Sequence, residues 1–257
     1  MSESVATLGA GKLLVFQPAT GADEIALPVA LGIQRFWSRR LKEAGRPSMY
    51  FVMVGKIERL VDAQGVDATS EDVAVGDKFV LPLGHLADDA EPARLIQAHG
   101  GRWGLVSAFG LTGPRFHLES RLLEVQDGAV RVLERHALDD DNIDLPRHIF
   151  EILTSTAQRT GARAPWHHWS DPFGSGDEVA ALHYLKAEGA CSMVEEGVRM
   201  RVADAFEPVV QALGQSPRMP LALEVARTLT RVLGEKDVAS LALARELRRL
   251  RELGVNV

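Results

Sequence analysis

RWGLVSAFG (102–110), RFHLESRLLEV (115–125) and VRVLERHAL (130–138) make up the stretch that decides the fold of this chain. Apolar and polar residues alternate through Phe116, Leu118, Ser120 and Leu122, and again through Val130, Val132 and Glu134. A period of two marks half-buried strands, because successive side chains leave a strand on opposite faces. Gln126-Asp127-Gly128 separates the second and third runs, and Asp-Gly suits the left-handed backbone of a tight hairpin. Residues 103–138 are therefore expected to form consecutive antiparallel strands.

Working outward, KLLVF (12–16) is a short apolar run that ends at Gln17-Pro18, as a buried strand does. Residues 25–44 follow with helical spacing through Leu27, Leu31, Phe36 and Leu41, and Gly45 and Pro47 stop the helix. MYFVMV (49–54) reads as a second buried strand, which gives a strand–helix–strand opening. Residues 56–90 are rich in Asp and Gly and read as an elaborated connection holding one edge strand at 78–83. A helix over 91–99, introduced by Pro92, leads into the strand trio, and a helix over 145–160 follows it.

The segment ARAPWHHWSDPFGSGD (162–177) has no periodicity and reads as a boundary. Beyond it, apolar stripes predict helices over 178–195, 199–213, 219–233 and 235–252, with Gly197, Pro217 and Gly234 between them. Their small residues and short connections suit stacked helical hairpins more than a closed bundle. The fold class expected is α/β with a mixed sheet, in the order strand-helix-strand-helix-strand-strand-strand-helix, followed by an all-α helical-hairpin extension. The expected units are 1–164 and 177–257.

With 257 residues, 46% hydrophobic and 25% charged, the chain can bury a sizeable core. A net charge of −6 argues against broad attraction to nucleic acid or anionic lipid. Arg245, Arg248, Arg249 and Arg251 are interrupted by Glu246 and Glu252 and read as a solvated helix face. A single cysteine, Cys191, excludes an internal disulfide and sits in apolar helical context as a small hydrophobe. The start of the sequence has no basic segment before an apolar run, and no stretch approaches the roughly 18 apolar residues of a membrane span. A cytoplasmic protein without membrane insertion is expected.

Candidate chemistry is sparse. Gly9-Ala10-Gly11-Lys12 lacks the glycine spacing, the following Ser or Thr and the following helix of a phosphate loop. His167, His168, Asp171 and His183 could be imagined around a metal, but their spacing is not that of a zinc site and a Trp-anchored linker explains them better. Asp139-Asp140-Asp141-Asn142-Ile143-Asp144 lacks the Gly and the terminal Glu of a calcium loop, and it reads as an acidic approach to a helix N-terminus. Glu119 and Glu134 read as solvent-facing sheet positions, and no G-x-S-x-G elbow is present. No catalytic residue, cofactor site or metal site is assigned.

Leu14-Val15-Phe16-Gln17-Pro18, then Ala98-His99-Gly100-Gly101-Arg102-Trp103-Gly104-Leu105-Val106, the strands 116–125 and 130–137, and the helix 145–160 resemble the amino-terminal domain of TolB. The closer likeness is to TolB-type domains found beside tetratricopeptide repeats in bacterial regulatory proteins. Ala181, Tyr184, Leu185, Ala187 and Ala190, then Ala205, Phe206, Val210, Ala212, Leu213 and Pro217, resemble the repeat pattern. The stretch Phe109-Gly110-Leu111-Thr112-Gly113-Pro114 and the long 56–90 connection depart from the family. The resemblance implies an interaction or sensory module. Stacked helical hairpins, and the sheet edges that three consecutive strands leave for another chain, favour a non-enzymatic interaction or scaffold module in a bacterial regulatory or envelope-linked assembly, with protein partners or a second copy, and the charge argues against nucleic acid. Tyr184, Met193, Phe206, Trp166 and Trp169 are the expected interaction surface. The alternative is a sensor that binds a small molecule between the sheet and the helical tail, beside Trp103, Trp166 and Trp169.

Overall fold

The computed structural model describes residues 12–20, 25–45, 51–54, 78–81, 89–98, 100–195, 200–236 and 241–255, with backbone alone at 51–54, 78–81, 91, 235 and 236. Strands β1 (Lys12–Phe16), β2 (Phe51–Val54), β3 (Lys78–Leu81), β4 (Gly101–Thr112), β5 (Arg115–Gln126) and β6 (Ala129–Asp141) form a six-stranded sheet in the order β3-β2-β1-β4-β5-β6. The first four strands are mutually parallel, and β4, β5 and β6 run antiparallel. The sheet is mixed, as the sequence implies, and the 78–83 run supplies an edge strand. The rest of the 56–90 connection, apart from Asp89 and Ala90, lies outside the described residues, as do residues 1–11 with Gly9 and Gly11.

Two tight turns build the antiparallel half. Asp127 and Gly128 have φ of 52° and 79°, the left-handed pair that Asp-Gly supplies. Gly113, at φ 60°, turns β4 into β5 with Pro114 as its partner. Gly at the first central position followed by Pro fits a two-residue turn of the primed kind, so β4 continues through 109–112.

Helices lie on both faces. On one, α1 (Ala26–Glu43) and α3 (Leu145–Arg159) cover Leu13, Val15, Leu105, Leu118 and Leu122. On the other, α2 (Ala90–Ala98) covers Leu14, Phe16, Val106, Leu123 and Val125. Gly104 admits α2, since a Cβ there would meet Ile96 Cδ1 at 2.4 Å. The indole Nε1 of buried Trp37 on α1 donates to the Ile149 carbonyl at 3.0 Å and ties α1 to α3.

After a one-turn helix α4 (Ser170–Phe173), the tail consists of α5 (Glu178–Glu195), α6 (Val202–Gln215), α7 (Pro220–Lys236) and α8 (Leu241–Glu252). Each tail helix touches the next, and α5 touches α7 as α6 touches α8. Contacts between every second helix suit stacked helical hairpins. Gly234 does not end a helix, because α7 runs on to Lys236; Gly in a helix costs only about 1 kcal/mol relative to Ala.

The 162–176 segment does not separate two cores. Trp169 and Phe173 join one continuous apolar cluster that runs from Leu13 to Val255. Buried Ala180, Ala181, Tyr184, Leu185, Ala187, Gly189, Ala190, Cys191 and Val194 spread round most of α5. A helix so largely apolar must be enclosed, and α1 encloses it on one side and α6 and α7 on the other. Gly32 of α1 and Gly189 of α5 make that contact possible. A Cβ on Gly32 would stand 1.9 Å from the Leu185 carbonyl oxygen, and one on Gly189 would stand 1.6 Å from that of Pro28.

Candidate functional site: the β6 edge

The aromatic residues expected to form an interaction surface are mostly structural. Tyr184 and Phe206 are 0% exposed, and Trp169 is buried; Trp166 and Met193 are half-buried. Phe36 stacks on Phe173 with centroids 4.2 Å apart, and Tyr184 meets both rings edge-on. These rings pack α1, α4 and α5 together, with Trp169 beside Phe173. Their size and period in the sequence are equally those of a core, and the partner helix that decides between the two readings is about 150 residues away, in α1.

Above the rings, Glu188 of α5 is buried with its side chain 3% exposed. It accepts Arg35 at 3.2 Å and Arg39 at 3.4 Å from α1, and the Tyr184 hydroxyl donates to it at 3.3 Å. Arg35 also reaches Glu195, and Arg39 reaches Glu224 at the start of α7. Burial pulls both guanidiniums down, and Glu188 with its acidic neighbours more than offsets it, so both end above the ordinary value. Every charge in this cluster has a partner, which is the condition for keeping ions in a core. It is a structural clamp.

Cys191 lies beside the clamp, and burial pushes its thiol up to about 12, with Glu195 and Glu188 adding to the effect. A free thiol titrates near 9, so between pH 9 and 12 the unfolded chain binds fewer protons than the folded one. Stability therefore falls as pH rises, by about 1.4 kcal/mol per pH unit for one proton. Urea midpoints at pH 8 and pH 10 are expected to drop less for Cys191→Ala than for the parent; equal drops would contradict the burial of this thiol.

The other candidates have local roles. Asp171 Oδ2 accepts the backbone N–H of His167 at 2.8 Å and of His168 at 2.9 Å, and these two bonds hold its carboxyl below the usual range. His183 is on α5, where burial lowers its pKa, and among the described residues no three His, Cys, Asp or Glu gather as a metal site. Asp139, Asp140 and Asp141 belong to β6 rather than to the approach of a helix. Asp139 pairs with Arg115 at 3.1 Å and Asp140 with His148 at 3.1 Å. Of the C-terminal arginines, Arg249 pairs with Glu207 and Glu246, and Arg245, Arg248 and Arg251 are exposed.

Glu134 is not solvent-facing. Leu122 is opposite Glu134 and Leu123 is opposite Val132, so Leu133 is an extra residue, a bulge. Val130 and Val132 therefore lie on the α2 face, whereas Glu134, His136, Leu138 and Asp140 lie on the α3 face. There Ser155 Oγ donates to Glu134, whose other oxygen lies 3.4 Å from His136. The hydroxyl meets the carboxylate instead of an imidazole, so this trio does not activate a nucleophile.

In a doubly wound sheet a ligand usually sits at the carboxyl ends of the strands where the order reverses, here between β1 and β4. That crevice holds backbone. Ala19 N–H donates to the Ser107 carbonyl at 2.9 Å, and Phe109 N–H donates to the Ala19 carbonyl at 2.8 Å.

The open feature is the far edge of β6. Its 13 residues pair with β5 on one side, and among the described residues no strand pairs with the other. The opposite edge of the sheet, β3, has four described residues. Along β6 the outer row reads Arg135, His136, Ala137, Leu138, Asp139, Asp140, Asp141, basic at one end and acidic at the other. Among large apolar residues, Val130 is 43% exposed and Ile143 is 48% exposed, one at each end of this strand. Three consecutive strands imply a sheet edge open to another chain, but nothing in the composition of residues 129–141 separates an edge strand from a central one, so the sequence does not show which strand carries it.

No protein-family model matches the chain, and no curated protein matches it. Among the described residues no helix is long and apolar enough to cross a membrane.

Proposed function

We propose that the chain is a non-catalytic protein-interaction module of a bacterial regulatory or envelope-linked assembly, and that it receives an extended segment along β6. The carrying observation is the unpaired outer edge of a strand of 13 residues, roughly 44 Å of backbone donors and acceptors. Strand addition at such an edge draws affinity from the main chain and specificity from alternate side chains. The resemblance to a TolB-type domain followed by tetratricopeptide-like helices belongs with this reading, and the stacking of α5–α8 supports it. One side of that stack is covered by α1, whose Arg35 and Arg39 reach α5 and α7. The interaction surface therefore moves from the tail to the sheet edge.

The test is photocrosslinking in the native cell with a photoreactive residue at exposed Ala137, against a control at Leu241, which is 89% exposed. A discrete adduct from position 137 and none from position 241 is expected. The absence of any adduct at 137 would contradict the proposal.

A further inference from the structure

We infer that the segment added to β6 is β6 of a second copy of this chain, antiparallel about a twofold axis at Leu138. This inference rests on the strand-addition reading and names its partner. A twofold axis normal to the sheet keeps each side chain on its own face, so the axis passes midway between a residue and its copy and pairs positions equally spaced about that residue.

With the axis at Leu138, Arg135 stands opposite Asp141 of the other copy, and His136 stands opposite its Asp140. Ala137 meets Asp139, Leu138 meets Leu138, and Glu134 meets Asn142. Symmetry makes each cross-charge pair occur twice, and no like charges meet. Moving the axis to Ala137 sets Glu134 against Asp140. Moving it to His136 leaves Arg135 opposite Ala137, and moving it to Asp139 sets two aspartates together. Of these four registers, the one at Leu138 alone sets Arg135 against a carboxylate and opposes no like charges.

Two further observations favour it. Arg135 lies opposite Arg121 across the β5–β6 pair, and Arg121 is held by Asp89 at 2.9 Å. Like charges opposite one another destabilise a sheet, and a carboxylate on the outer side of Arg135 offsets the repulsion. The bulge at Leu133 and the turn into the 3-10 segment Asn142–Asp144 bound the straight stretch of the strand, so its ends coincide with the ends of this pairing.

The experiment is light scattering and sedimentation of the full chain over a concentration series, with Arg135→Asp, Asp141→Arg and an equimolar mixture of the two. Both positions are exposed, and circular dichroism checks that the variants fold. The parent is expected to pass from one chain to two as concentration rises. Each single variant is expected to dimerise roughly tenfold more weakly, since two ion pairs become two like-charge pairs. The mixture is expected to recover the dimer. At one end of the mixed pair the introduced carboxylate meets the introduced guanidinium, and at the other end the native Arg135 and Asp141 still meet. A one-chain mass throughout, a dimer indifferent to either substitution, or a mixture without recovery would each overturn the inference. If self-pairing fails but position 137 still crosslinks to a chain of different mass, strand addition stands with another partner. If 137 crosslinks to nothing, strand addition fails too.

Discussion

Gly189→Ala is expected to lower the stability of the full chain by roughly 3 kcal/mol or more, above the usual range for an overpacked core. The added methyl would lie 1.6 Å from the Pro28 carbonyl oxygen and 2.5 Å from its carbon, both backbone atoms of α1. A flexible side chain could step aside, but a helix backbone cannot. The only relief is to separate α1 from α5, and separation loosens Phe36, Phe173 and Tyr184, which are stacked beneath the same contact. At about 2–4 °C per kcal/mol for a chain of this size, the melting temperature should fall by about 6–12 °C. Gly234→Ala is the control, since an added methyl there meets nothing within 4 Å and Ala favours the helix. Thermal unfolding followed by circular dichroism measures both. A Gly189→Ala protein melting with the parent would mean that the two helices are not in contact.

Glu188→Ala is the second large effect, about 3 kcal/mol. Removing one partner of a buried ion pair costs about 3–5 kcal/mol because it strands the other charge. Here each arginine keeps a second partner, Glu195 for Arg35 and Glu224 for Arg39, and their side chains are 23% and 27% exposed, which places the loss at the low end. The Tyr184 hydroxyl, inside the core, also loses its acceptor. Glu188→Gln keeps an amide oxygen for the arginines and turns its NH2 toward the Tyr184 oxygen, which can accept, and it should lose less than half as much. Urea unfolding curves of the three proteins give these differences directly. Equal midpoints for the parent and Glu188→Ala would show that the cluster contributes nothing to the α1–α5 contact.

The sheet is legible in the sequence because its signals are local. Alternation at Phe116, Leu118, Ser120 and Leu122 and the Asp127-Gly128 turn depend only on neighbours in sequence, and the structure has both. The failures arise where distant packing decides. Leu133 carries no mark of a bulge, being one apolar residue among others, and its extra position moves Glu134 and His136 to the opposite face from the one alternation assigns. Gly32 and Gly189 read as unremarkable small residues until each is seen against the backbone of the other helix. For the same reason Tyr184 and Phe206 read as surface anchors, and the 162–176 segment reads as a linker between two cores.

Amide hydrogen exchange along β6 tests the central claim most directly. In dilute full-length protein, about half of the amides over 134–141 are expected to exchange quickly, because alternate residues of an edge strand direct their N–H groups away from the sheet. Those same amides should become protected when the partner strand is supplied, here by raising the protein concentration. Full protection in dilute solution would mean that the edge is already covered within one chain, and fast exchange unchanged at any concentration would mean that no second copy adds to it.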